Sequence, residues 1–90
     1  MIWRLLITAG AERDLNKIPE PDSKRIKEDL YALADEPHPK SYVKKIKEHS
    51  RSPLYSFRFG RYRAILIIEG NTMIIIQVEV GNRSKVYRKY

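Results

Sequence analysis

Residues 54–80 read LYSFRFGRYRAILIIEGNTMIIIQVEV, and this stretch decides the fold. Two glycine-led dipeptides, Gly60-Arg61 and Gly70-Asn71, divide it into three runs rich in β-branched and aromatic residues. Glycine at these points supplies the positive φ that two-residue hairpin turns need. The pattern therefore predicts an antiparallel meander of three strands: Leu54–Phe59, Tyr62–Glu69 and Thr72–Val80.

The N-terminal part of the chain changes from strand to helical spacing. Alternating apolar residues predict a strand at Ile2–Thr8. Residues 9–36 then predict a helical hairpin, because apolar residues recur there every three or four positions and Pro19-Glu-Pro21 interrupts the pattern. The predicted core positions of the hairpin are Ala11, Leu15, Ile18, Ile26, Leu30 and Leu33.

These elements predict one α+β domain over residues 1–90. The first strand and the meander form one sheet, with the two helices on one face and the other face open to solvent. The segment Tyr42–Ser52 is ambiguous, with a short strand at Val43–Ile46 followed by a loop as one interpretation.

Composition excludes several classes of protein. The 90 residues contain no cysteine and two histidines, which excludes disulfides, cysteine nucleophiles and Cys-based or His-rich metal sites. The longest apolar run, Ala64–Ile68, is far too short to cross a bilayer. We therefore expect a cytoplasmic protein without a membrane segment.

Positive charge is concentrated in the second half of the chain. Residues 1–39 hold six Lys and Arg against eight Asp and Glu, whereas residues 40–90 hold twelve against three. A one-sided basic field favours a polyanionic partner, although a solvated surface or an anionic protein partner fits equally well.

Three arginines surround the first predicted turn. Arg58 precedes it, and Arg61 and Arg63 follow it, so the hairpin brings them close together. One interpretation is a phosphate-binding cradle, for which the guanidinium fork is well shaped. The alternative is that these arginines pair with Glu79 or with the C-terminal carboxylate.

Three stretches resemble the RelE/ParE superfamily of toxin–antitoxin toxins, and specifically its RelE-like ribonuclease branch. The first, Thr8–Pro19, is similar to the helix of these toxins that ends in a leucine-proline pair. The second, Leu54–Ala64, matches their hairpin pattern L-Y-x-x-R-x-G-x-Y-R and is the most specific. The third, Val80–Arg88, resembles their ending V-x-H-R-x-x-V-Y.

This resemblance implies the RelE-like fold and a small endoribonuclease that needs neither metal nor cofactor. Such toxins enter the ribosomal A site and cut mRNA there. The ribose 2′-hydroxyl attacks the neighbouring phosphate and leaves a 2′,3′-cyclic phosphate and a free 5′-hydroxyl. The implied partners are the ribosome, mRNA and a cognate RelB-like antitoxin protein.

The resemblance also implies roles for individual residues. Arg63 would stabilise the phosphate charge, Arg83 would stabilise the leaving oxygen, and Tyr87 would orient the 2′-hydroxyl or stack on a base. Further phosphate contacts are expected from four basic residues: Arg58, Arg61, Lys45 and Lys47.

The chain departs from the family where a general base is expected. Some members carry two lysines where Ser56 and Arg58 stand here, and many carry a histidine where Asn82 stands. Glu79 is the candidate general base, with Lys45 or Lys47 as weaker alternatives. Two other functions stay open: a ParE-like toxin that inhibits DNA gyrase without catalysis, and an RNA-binding relative with little or no cleavage.

Overall fold

A computed structural model describes residues 3–49 and 52–80. It contains five β-strands, two α-helices and one short 3₁₀ turn in these residues. In chain order they are β1 (Arg4–Ile7), α1 (Ala9–Asn16), α2 (Glu20–Ala34), the 3₁₀ turn (Pro39–Tyr42), β2 (Lys44–His49), β3 (Ser52–Phe59), β4 (Tyr62–Glu69) and β5 (Thr72–Val80).

The strands form a single sheet in the order β1-β5-β4-β3-β2. Strands β2 to β5 are an antiparallel meander, and β1 joins its far side in parallel with β5. Both sharp turns of the meander have glycine at positive φ, 58° at Gly60 and 60° at Gly70. These values explain why the two glycine-led dipeptides mark the turns so accurately.

The core lies between the helices and one face of the sheet. Helix α1 contributes Ala11 and Leu15, and α2 contributes the predicted stripe of Ile26, Leu30 and Leu33. The sheet residues buried with them are Tyr55, Tyr62, Ala64, Leu66, Ile68, Met73, Ile75 and Val78. The opposite face of the sheet, called the open face below, has no described helix packed on it.

Thr8 joins the start of α1 to the middle of β5. Its hydroxyl accepts a hydrogen bond from the Ala11 amide at 3.2 Å and so caps the helix. The same hydroxyl donates to the Ile75 carbonyl at 2.9 Å, and the Thr8 amide donates to that carbonyl at 3.1 Å. One side chain therefore fixes where the helix begins and where it lies on the sheet.

Strand β5 carries one extra residue relative to β4. Leu66 is opposite Ile75 but Ile65 is opposite Gln77, so Ile76 is bulged. Beyond this point the Asp14 carboxylate of α1 accepts a hydrogen bond from the Val78 amide at 3.0 Å. The bulge shifts the alternation, so that Val78 is buried and Glu79 lies on the open face.

The predicted α+β fold, with its helical hairpin and sheet, is confirmed. The structure adds one strand to the predicted meander. The ambiguous segment forms β2, which makes the meander four strands rather than three. Strand β2 is longer than the Val43–Ile46 interpretation and is irregular between Lys45 and Lys47. The 3₁₀ turn at Pro39–Tyr42 lies between α2 and β2. Basic residues and a bulge obscure the period-two signal in β2.

Replacing Thr8 by valine should lower the free energy of unfolding by about 1–2 kcal/mol, because the helix cap and the bond to Ile75 are both lost. Urea denaturation of the variant and of wild type measures the difference. Thr8→Ser is the control, since it keeps the hydroxyl and should stay near wild type. Equal stability of the valine and serine variants would contradict this account of the cap.

Candidate functional site

Three charged residues form a row across the open face of the sheet. Arg58 of β3 lies directly opposite Arg63 of β4, and Arg63 lies directly opposite Glu79 of β5. Tyr55 of β3 is buried on the helix side of the sheet, and Arg58 is exposed on the other side. We call Arg58, Arg63 and Glu79 the charged row.

Arg63 and Glu79 form an ion pair within this row. Nε of Arg63 donates to Oε2 of Glu79 at 3.0 Å, and Nη2 donates to the same oxygen. The other carboxylate oxygen, Oε1, accepts a hydrogen bond from Nε2 of Gln77 at 2.7 Å. Each side chain of the ion pair keeps 30% of its surface exposed, so solvent reaches the pair. The pairing of an arginine with Glu79, one of the two alternatives from sequence, is therefore observed for Arg63.

Arg58 completes the row as an uncompensated cation. Among the described residues it has no hydrogen-bond or ion-pair partner, and its side chain is exposed. A guanidinium directly across a strand pair from another one is repelled by it. The row therefore contains two cations and one anion, with the free charge on the β3 side. An anion placed between Arg58 and Arg63 would relieve this repulsion.

Arg61 lies away from the charged row, on the side of the helices. Its guanidinium carbon is 5.8 Å from the centre of the Tyr62 ring, and the Tyr62 hydroxyl donates to Asp22 of α2 at 2.8 Å. Hydrogen bonding with the Tyr62 side chain raises the pKa of Arg61, and the Asp22 charge adds to this shift. Arg61 therefore stays fully charged, but the sheet separates it from Arg63.

A cleft of about 540 Å³ lies beside Arg61, between α2 and the β3–β4 turn. Its apolar wall includes Ile26, Phe57 and Phe59, and the two phenylalanine rings meet edge to face with centroids 5.2 Å apart. Charged residues of both signs border it: Asp22, Arg25, Asp29, Arg58 and Arg61. Arg58 thus belongs to the charged row and also borders the cleft, whereas Arg63 and Glu79 do not line it.

The lysines of the edge strand β2 divide between the two faces. Lys45 is opposite Tyr55, a position on the helix side, so it does not join the charged row. Lys47 is opposite Leu54 in the register of β2 and β3. Lys44 is not among the predicted site residues. It is exposed and lies opposite Ser56 on the open face, and Ser56 is two residues before Arg58 in β3. The position of Lys44 near the charged row follows only from the pairing register of β2 and β3, which the sequence does not reveal.

Two of the residues expected in the site, Arg83 and Tyr87, lie outside the described residues. Strand β5 ends at Val80, which is opposite Tyr62. Within residues 3–49 and 52–80, no group of three or more metal-ligating side chains could hold an ion. No helix in the same part of the chain is long and apolar enough to cross a membrane.

Comparison with family models decides the family. A model described as ParE toxin of type II toxin-antitoxin system, parDE, matches residues 5–87. The chain belongs to this toxin family. It is thus a member of the RelE/ParE superfamily and the toxin of a toxin–antitoxin module, as the three sequence stretches indicated. No curated protein matches the sequence significantly.

Solved structures give the same fold under the name RelE. The chain is 25% identical to a protein in the archaeal RelE–RelB complex from Pyrococcus horikoshii, with a TM-score of 0.74. The match covers 92% of this chain and 99% of that one. The chain is 27% identical to a protein in the RelB–RelE complex from Methanococcus jannaschii, with a TM-score of 0.64. The match covers 94% of this chain and 98% of that one. The RelBE2 complex from Mycobacterium tuberculosis, at 23% identity, has a TM-score of 0.77 over 89% and 99% of the two chains.

Replacing Arg58 by glutamine should stabilise the fold slightly, because it removes the repulsion between Arg58 and Arg63. We expect the free energy of unfolding to rise by roughly 0.2–0.5 kcal/mol at low salt, and the gain to shrink as salt screens the charges. Chemical denaturation at two ionic strengths measures both effects. Arg58→Lys keeps the charge and should leave stability unchanged, whereas a loss of stability in Arg58→Gln would contradict the proposed repulsion.

Proposed function

We propose that this toxin is a ribosome-dependent endoribonuclease of the RelE type, which cuts mRNA in the A site and stops translation. The observation that carries the proposal is the pair of opposed arginines, Arg58 and Arg63, on a sheet face that no described helix covers. A face on which two guanidinium groups share one carboxylate keeps a net positive charge, and such a face suits a phosphate backbone. The match of residues 54–64 to the hairpin pattern of RelE-like ribonucleases points the same way.

The proposed reaction is an internal displacement at phosphorus that uses no metal. The 2′-oxygen of the ribose gives its proton to a base and bonds to phosphorus, the bond from phosphorus to the 5′-oxygen of the next nucleotide breaks, and that oxygen takes up a proton from water. The products are a 2′,3′-cyclic phosphate and a 5′-hydroxyl. Negative charge grows on the phosphate oxygens during this step, and each fixed cation aimed at them contributes about 10²–10³-fold in rate.

Arg63 has the proposed role of binding the scissile phosphate, and Arg58 binds the same or the adjacent phosphate from across the strand pair. Arg83 stabilises the leaving 5′-oxygen, and Tyr87 orients the 2′-hydroxyl or stacks on a base. Lys47 contributes a phosphate contact from β2. Lys45 and Arg61 face away from the charged row, so we propose that they contact a different part of the RNA or of the ribosome.

Glu79 is the remaining candidate for general base, and its geometry is unfavourable for this role. Donors occupy both of its carboxylate oxygens, Arg63 on one and Gln77 on the other. Glu79 must leave Arg63 before Oε2 can take a proton from a 2′-hydroxyl. We therefore propose that the ribosome supplies part of the proton transfer, with Glu79 as base only after that rearrangement.

Cell-free translation with the purified toxin, followed by primer extension on the mRNA, tests the ribonuclease proposal. We expect cuts that require ribosomes, a loss of at least about 100-fold in Arg63→Ala and Arg83→Ala, and a smaller loss in Arg58→Ala. Arg61→Ala is the comparison variant: it removes an arginine from the same hairpin but from the other face, so we expect a smaller loss than in Arg63→Ala. Circular dichroism checks that each variant is folded.

Intact mRNA at high toxin concentration would contradict the ribonuclease proposal. The second candidate is then a ParE-like toxin that inhibits DNA gyrase without catalysis, which the family description favours. A DNA supercoiling assay with the same protein tests it directly. RNA binding that falls with salt, without cleavage or gyrase inhibition, would instead identify a catalytically weak RNA-binding relative. All three activities place the protein in the cytoplasm.

We also propose that an acidic antitoxin of the RelB type binds this toxin. The solved RelE–RelB complexes and the net charge of +7 support such a partner. The cleft beside α2 offers Phe57 and Phe59 as an apolar wall and Arg25 and Arg61 as cations at its border. An amphipathic helix with an acidic polar face suits this arrangement.

Co-expression with the product of the neighbouring gene, followed by native mass spectrometry and affinity measurement, tests this partnership. Phe57→Gln should weaken binding by about tenfold or more, because it removes an apolar anchor from the cleft. Leu54→Gln is the control, a partly buried residue of the same strand on the open face. Absence of any complex would contradict the antitoxin proposal, and a loss confined to Leu54→Gln would move the docking site to the open face.

A further inference from the structure

The Arg63–Glu79 ion pair occupies the Nε–Nη2 edge of Arg63, one of the edges that this guanidinium could offer to a phosphate. Such an edge presents two N–H groups side by side. Both of these groups donate to one oxygen, Oε2 of Glu79. An RNA phosphate cannot use that edge while Glu79 holds it.

We propose that Glu79 is a resident anion that an RNA phosphate displaces from Arg63, and that it thereby limits the affinity of the free toxin for RNA. This inference rests on the proposed role of Arg63 in phosphate binding. It gives Glu79 a role in the control of RNA binding that precedes any role in proton transfer. The carboxylate stands in the resting protein where a phosphate oxygen stands in the complex.

The exposure of the ion pair makes this exchange feasible. Both side chains keep 30% of their surface accessible, so a ligand can approach them and water can solvate Glu79 as it leaves. Ion pairs that are this accessible bind weakly. A phosphate forms stronger bidentate contacts with a guanidinium than a single carboxylate oxygen does.

Arg58 gives the phosphate an advantage that Glu79 lacks. Glu79 lies on the β5 side of Arg63 and Arg58 on the β3 side. A phosphate on the β3 side bonds to two guanidinium groups and cancels their repulsion, whereas Glu79 neutralises Arg63 alone. Binding of RNA therefore moves the balancing negative charge from one side of Arg63 to the other.

Gln77 provides a place for the displaced carboxylate. Its Nε2 donates to Oε1 of Glu79, the oxygen that Arg63 does not use. Gln77 and Glu79 are neighbours on the same face of β5, so this bond does not depend on Arg63. Glu79 thus keeps one hydrogen bond when Arg63 turns towards a phosphate, and the exchange is reversible.

Fluorescence anisotropy with a labelled single-stranded oligoribonucleotide tests the inference. The probe carries 2′-O-methyl groups, so the proposed cleavage cannot occur during the measurement. We expect Glu79→Gln to bind about 2–5-fold more tightly than wild type at low salt. Its plot of log affinity against log salt should be steeper by about 0.7, the value for one additional phosphate contact on a single strand.

Two matched variants separate displacement from a simple change in net charge. Glu69→Gln removes the same charge from the open-face end of β4, roughly 20 Å from Arg63 along the strand, and should bind like wild type. In the Arg63→Ala background, Glu79→Gln should give no gain. Glu79→Asp, with a shorter reach, should fall between wild type and Glu79→Gln and serves as the test if the glutamine variant does not fold.

Different results overturn the inference and the function on which it rests. An equal gain in Glu69→Gln, or a gain that persists in Arg63→Ala/Glu79→Gln, would show that Glu79 acts only through net charge. Weaker binding in Glu79→Gln would show that Glu79 supports the site instead. The inference alone fails in these cases, provided Arg63→Ala still lowers RNA affinity. Equal RNA affinity of Arg63→Ala and wild type would overturn both.

Discussion

The single extra residue in β5 determines which side chains meet on the open face. Up to Ile75 the odd-numbered residues of β5 face the helices, and a regular strand would bury Glu79. The bulge at Ile76 reverses the alternation, so Val78 enters the core and Glu79 meets Arg63. Bulges often redirect side chains in this way beside functional sites. Thr8 and Asp14 hold β5 on either side of the bulge through hydrogen bonds from the first helix.

The β3–β4 hairpin places its arginines on different faces of the sheet although they are close in sequence. Arg58 and Arg63 share the open face, and Arg61, at the turn between them, lies against Tyr62 near α2. The two faces therefore present different chemistry. One offers guanidinium groups partly balanced by a carboxylate, and the other offers an aromatic cleft with charges of both signs. The two surfaces adjoin at Arg58, which belongs to the charged row and also borders the cleft.

The sequence predicts the parts of the fold that local chemistry controls. Gly60 and Gly70 mark the turns because positive φ is required there, and Tyr62–Glu69 and Thr72–Val80 are strands with the predicted bounds. Strand β2 was ambiguous because lysines and an irregular register hide its alternation. Its pairing depends on β3, which no local pattern reveals.

The sequence also predicts part of the candidate site. Alternation along β3 is enough to put Arg58 and Tyr55 on opposite faces, and the scarcity of acids in the second half of the chain points to Glu79 as a partner for an arginine. The position of Glu79 opposite Arg63 depends on the bulge, which the alternating apolar residues of β5 conceal. The positions of Lys44 and Lys45 depend on the β2–β3 register. These features follow from tertiary pairing rather than from propensity.

The parallel pairing of β1 with β5 also bears on how the protein folds. Thr8 and Ile75, whose contact fixes the first helix on the sheet, are 67 residues apart. The β3–β4 and β4–β5 hairpins close over two residues each, whereas β1 has no strand beside it until β5 exists. Contacts between distant residues slow folding, because a long loop must close before they form. In a nascent chain β1 therefore cannot complete the sheet until β5 has been synthesised.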